Sequence, residues 1–368
     1  EITAPAEAVA HVLAGERLVH AAIENIRSPG NSADAFHIFK TNVDYSDNRS
    51  TFGCHENFGH TVAHDGLANA IAPFLCSRII FTGAGGFDPF KPLQFTLSPR
   101  VAFLEPGMRR DRRNIVNGRD EPLTDGKVRR LHLVCGESLC SHLGMYLKTG
   151  ATLLVVWMVE HGYRPDRKIV PRFAVDAMRA FAGDITGTTE VATSVRGRAA
   201  TALDMQRAYL QAAEARLDER WMPDWAADVV ARWREVLDDF ARGGPAALAD
   251  RLDWAIKYEL YRRQCQRRGF DFDDLRRRWN DRLERLQSAI KRHGMRFRLK
   301  QRHAAAMRRS ARLIDDVFDR YPLFEPVDRT WDRLADVLRL RYELFELDTR
   351  YAQLGPNGIF NQLDAGDA

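Results

Sequence analysis

The sequence lacks the usual signatures of several enzyme classes. It has no GxSxG, HExxH or CxxC motif, no Walker loop and no GxGxxG. Those absences exclude an elbow-type serine hydrolase, a zincin, a dithiol redox centre and the two common glycine-loop nucleotide folds. The five cysteines (Cys54, Cys76, Cys135, Cys140, Cys265) are scattered and odd in number, so a disulfide framework or paired zinc spacing is not expected. That usage fits a reduced, cytoplasmic protein. No signal-peptide pattern opens the chain. The apolar stretch over 150–162 is too short to span a bilayer and ends at Glu160 and His161, so no membrane partner is expected. No internal repeat is visible.

What remains is a chain of 368 residues, 45% hydrophobic and 29% charged, with a formal charge of +5. Residues 1–200 mix strand and helix patterns. Helical spacing runs over 8–26 and 68–82. FHIFKTNVD (36–44), FTLSPRVAFLE (95–105) and RRLHLVCGE (129–137) read as strands. TGAGG (82–86) reads as a turn. A long apolar helix is expected over 141–162, with Gly150 its weak point. Residues 201–368 read as helical, starting at the Thr201/Asp204 signal, with a stop at Gly243–Gly244. Asp253 and Lys257 are four apart and are expected to pair across one helix face. Arg and Lys then run densely from Arg262 to Arg312 with few acids, which suits an acidic partner. Stacking aromatics are sparse there, so nucleic acid is disfavoured.

Two stretches carry chemistry. In FGCHENF, alternation along a strand puts His55 and Asn57 on one face and Glu56 on the other. In NIVNGRDEPLTDGKVRRLHLVCGES (114–138), Arg119 lies in a polar loop, and Arg130 and His132 share a strand face. Imidazoles can bind a divalent metal, and guanidiniums suit a polyphosphate. Taken singly, each stretch also reads as an ordinary polar loop or a surface Arg–Asp network.

Together, and in order, these blocks resemble the Pup ligase and Pup deamidase/depupylase family, a branch similar to the glutamine synthetase-like carboxylate-amine ligases. The resemblance rests on FHIFKTNVDYSDNRSTFGCHENF, PFLCSRIIFTGAGG, FTLSPR, NGRDEPLTDGKVRRLHLVCGES, YLKTGATLLVVWMVEHG, TALDMQRAYL and ALADRLDWAIKYEL. It spans most of 16–260 and resumes weakly near LDTRYAQLGPNGIF (347–360). It implies an α+β fold: a curved antiparallel sheet with packed helices, forming an ATP-binding catalytic core over 1–200. The helical part of the core follows over 201–368, with a basic helical insertion at about 262–340.

The resemblance also implies ATP and Mg²⁺ as cofactors. His55, His132 and Glu1 would then be metal ligands, and Asn57, Arg100, Arg119 and Arg130 nucleotide or phosphate ligands. The expected catalytic Asp would lie before Glu1. The implied reaction activates the C-terminal Glu carboxylate of a small acidic Pup-like modifier and joins it to lysines of target proteins through an isopeptide bond. The hydrolytic twin, a deamidase or depupylase, is the alternative. A non-catalytic module that binds an acidic protein or nucleic acid is a second alternative.

Overall fold

The computed structural model describes residues 2–26, 40–44, 50–91, 93–105, 115–117, 127–276, 340, 343–345 and 347–351. In chain order, helix α1 is Pro5–Ile26, strand β1 Glu56–His60, α2 His64–Ser77 and α3 Ile79–Thr82. The short strands β2 (Gly86–Phe87), β3 (Phe95–Thr96) and β4 (Val116–Asn117) lead to β5 (Arg129–Leu133). Helices α4 (His142–Glu160) and α5 (Ala174–Ala182) follow, then β6 (Val191–Ala192), β7 (Ala199–Ala200), α6 (Ala202–Glu214), α7 (Ala226–Gly243) and α8 (Asp253–Arg267). The fold is α+β.

The sheet that matters is antiparallel, in the order β1–β5–β4. Its register sets Asn57 against His132 and Gly59 against Arg130, with Asn117 of β4 on the other side of His132. Phe58, Leu131 and Leu133 face inward and are buried. The alternate residues of both strands therefore form the outer face.

Helix α4 is the spine. Ser141 caps it by accepting a hydrogen bond from the Gly144 amide, and the helix packs against α1, α2, α3, α6 and α7. Its 19 residues are long and apolar enough to cross a membrane by length and composition, but 67% of its apolar window is buried inside the protein. The helix expected over 141–162 is observed as His142–Glu160, and the apolar run that begins at Gly150 forms only its second half. Gly150 is no weak point. A Cβ there would lie 2.6 Å from Val229 Cγ2, so the glycine lets α7 approach closely.

Behind α2, Trp233 and Tyr209 pack edge-on to Phe74 with ring centroids 5.7 and 5.6 Å away. Buried Gln206 accepts from Trp233 Nε1 and donates to Phe74 O and Ser77 Oγ, so this polar insertion is satisfied. The Thr201/Asp204 capping box starts α6, and Gly244, at φ 58°, ends α7.

Two further sequence expectations are corrected. The strand expected over 95–105 covers only Phe95–Thr96. Pro99 cannot donate to a ladder and opens a 3₁₀ turn over Pro99–Phe103. Asp253 and Lys257 are not each other's hydrogen-bond partners. Asp253 accepts from the amides of Cys140 and Ser141 at the head of α4 and from Tyr351 Oη. Lys257 pairs with Asp348 at 2.7 Å and donates to Gly85 O. Residues 36–39, and the basic stretch over 277–339, lie outside the described residues. Just before it, among the described residues, Arg262 and Arg263 pair with Glu259, and Arg268 with Glu343.

Candidate functional site

The outer face of β1 and β5 gathers the polar side chains. Arg130 Nε donates to Asn57 Oδ1 at 2.7 Å. His132 Nε2 lies 3.1 Å from His55 Nδ1, with ring centroids 5.0 Å apart. One of these two nitrogens must donate and the other accept, so one ring presents a lone pair to its partner. The His55 imidazole is pushed below its ordinary value by burial first, then by the nearby Arg100 and Arg130 cations. His55 sits one residue before β1 begins, yet it reaches the same cluster.

Two site elements escaped sequence reasoning. Asn117 is 4% exposed, and its Oδ1 has no hydrogen-bond partner among the described residues. It stands beside His132 across the sheet. Its only sequence signal is a polar residue at a strand position in NIVNG. The second element lies beneath the sheet. The Glu56 carboxylate makes a bidentate pair with Arg78 at 2.9 and 2.7 Å, and Lys148 Nζ lies 3.6 Å away. Burial alone would raise the Glu56 carboxyl, but Arg78 and Lys148 outweigh it and hold the group below the ordinary value.

Arg100 is 5% exposed and its donors face inward. Nε and Nη2 donate to Val134 O, and Nη1 to Thr51 Oγ1. Gly53 covers it: a Cβ there would come within 2.5 Å of Nη2. Arg100 therefore contributes a buried charge beside His55, with three of its nitrogens already committed to protein oxygens. Glu1 and Arg119 lie outside the described residues.

The face suits phosphate oxygens, since it offers a guanidinium, an amide and imidazole N–H groups within one strand pair. It does not by itself make a Mg²⁺ site. That ion demands near-octahedral oxygen donors. The described face supplies two imidazoles, and no group of three metal-ligating side chains occurs among the described residues.

The buried carboxyl has a pH consequence. With its folded value below 4.5, the unfolded chain takes up the Glu56 proton first as pH falls. The stabilisation is present at neutral pH and disappears through the acid range. Buried Glu137 is shifted the opposite way by desolvation, so it opposes this trend. The difference between wild type and Glu56→Gln cancels Glu137. The melting temperature of Glu56→Gln is therefore expected to fall less than that of wild type between about pH 6 and about pH 3.

A family model described as "Pup-ligase protein" matches residues 1–322. The chain is 33% identical over 271 residues to a Pup–protein ligase of Micrococcus luteus, covering 69% of this chain and 57% of that protein. It is 34% identical over 281 residues to a Pup deamidase/depupylase of Mycobacterium tuberculosis, covering 71% of this chain and 53% of that protein. A solved structure of the Pup ligase PafA in complex with ADP superposes with a TM-score of 0.60 at 27% identity, covering 82% of this chain and 69% of that one. The chain thus spans a little more than half the length of these curated relatives.

Proposed function

This chain belongs to the Pup-ligase protein family, and from that premise we propose that it carries the nucleotide-binding face of an ATP-dependent carboxylate-amine ligase. The ligase would activate the C-terminal Glu carboxylate of a small acidic Pup-like modifier and join it to lysine amines of target proteins. The observation that carries this reading is the convergence of Arg130, Asn57, His55 and His132 on one sheet face. A phosphoryl group needs such fixed donors where its charge is spread.

In this proposal Arg130 and Asn57 contact nucleotide phosphates, Arg119 joins them, and Arg100 supplies positive charge from beneath. His55 and His132, with Glu1, border the metal-bearing edge of the phosphates. Mg²⁺ would arrive with the nucleotide and would supply neutralisation of the phosphate charge. The part over 1–200 carries the chemistry, and the helical part over 201–368 buttresses it. The protein would work in the cytoplasm.

The depupylase reading is the second, favoured by the 34% identity to a relative of that name. One assay separates the two. Full-length protein is incubated with ATP, a modifier ending in Glu and a lysine peptide. A new isopeptide with stoichiometric ADP is the expected result. In parallel reactions with a preformed modifier–lysine conjugate or a Gln-ended modifier, release of free modifier or of ammonia without net ATP consumption would establish the hydrolase instead.

A further inference from the structure

Directly beneath the proposed phosphate-binding face lies an ionic cluster with no direct part in binding. Glu56 sits between His55 and Asn57 in sequence and points to the opposite side of the strand. Its side chain is 9% exposed and the side chain of its partner Arg78 2%. Arg78 stands at the break between α2 and α3, where its backbone leaves one helix and enters the next. The same guanidinium also donates to Thr152 Oγ1 of α4 at 2.7 Å. Lys148, one helical turn earlier in α4, lies 3.6 Å from Glu56 and donates to Glu137 O at 2.9 Å. The Glu137 carboxylate in turn accepts from the Arg100 amide at 2.9 Å and the Ala84 amide at 2.8 Å.

The backbone is fitted to this cluster. Cys54 N donates to Gly136 O at 3.0 Å. A Cβ on Gly136 would lie 2.5 Å from both Cys54 O and Glu56 Oε1. One carboxylate is thus the meeting point of β1, the turn after β5, the α2–α3 junction and α4.

We propose that Glu56, Arg78 and Lys148 are positioning residues: through Glu137 they fix the spacing between His55/Asn57 on one side and Arg100 on the other, and thereby set nucleotide affinity. This rests on the nucleotide-site reading above. The physical case is comparative. A buried ion cluster contributes no more stability, on average, than well-packed apolar side chains of the same volume. What it adds is direction, because a bidentate guanidinium–carboxylate pair fixes both distance and angle. Direction is what a face of short side chains needs if all are to meet one phosphate chain.

The test uses Lys148→Met and Glu56→Gln in the full-length protein, with His132→Ala alongside. Mg–ADP dissociation constants are measured by calorimetry well below each variant's melting temperature. Lys148→Met keeps the aliphatic stem and leaves Glu56–Arg78 a neutral pair, so it carries the test if Glu56→Gln does not fold. The expected result is at least a tenfold weaker Mg–ADP affinity for each. The double variant should be no worse than the weaker single, as for residues acting through one network. A purely structural role would lower the melting temperature and leave affinity intact. If Lys148→Met binds Mg–ADP normally while His132→Ala does not, the positioning role is wrong and the site stands. If His132→Ala also binds normally, the site reading falls and this inference falls with it.

Discussion

Arg78→Ala is expected to lower the unfolding free energy by about 3–5 kcal/mol, the range for removing one partner of a buried ion pair. Arg78 is 1% exposed and makes both strong contacts to Glu56. Removing it leaves a carboxylate in the interior whose remaining cation, Lys148, is 3.6 Å away. It also strips Thr152 Oγ1 of a donor and opens a void between α2 and α4. Each effect points the same way. Arg78 pairs with Glu56 strongly enough that its guanidinium is pushed above the ordinary value despite burial, which works against it. Denaturant titration of the two proteins reads the difference directly. A loss below about 1 kcal/mol, the scale of a surface pair, would mean the cluster is better hydrated than its burial implies.

The second large effect is expected from Trp233→Ala, about 3–5 kcal/mol as for other large core truncations. Trp233 is fully buried and packs edge-on against Phe74 and Phe81 at 5.7 and 6.2 Å. It also donates to Gln206 Oε1 at 3.1 Å. Truncation therefore leaves both a cavity and an unpaired buried acceptor. Trp233→Phe shifts the balance of the two terms: it loses the indole donor but only a small part of the ring volume, so it should cost less, roughly 1–3 kcal/mol. Equal losses for the two variants would show that the hydrogen bond, not the packing, governs this part of the core.

The outer face was legible because strand alternation is a local rule. Arg130 and His132 had to share a side of β5 once that segment was read as a strand. The pairing of Asn57 with His132 was not legible, since register depends on two segments separated by more than seventy residues. The burial of Arg100 was not legible because FTLSPR reads as strand up to Pro99, whereas the 3₁₀ turn folds the arginine under Gly53. The ion cluster left a faint trace. PFLCSRIIFT and MYLKTGATLLVV each hold one cation inside an apolar run, which marks a buried charge needing a partner. Nothing in the sequence named that partner as Glu56, which strand alternation placed only on the face opposite His55 and Asn57.

The most direct measurement is a calorimetric titration of Mg–ADP into the full-length protein and into His132→Ala, at a temperature where both are folded. The account predicts saturable binding to the wild type and at least tenfold weaker binding to the variant, with an unchanged far-UV circular dichroism spectrum. Equal affinities for the two proteins would contradict it.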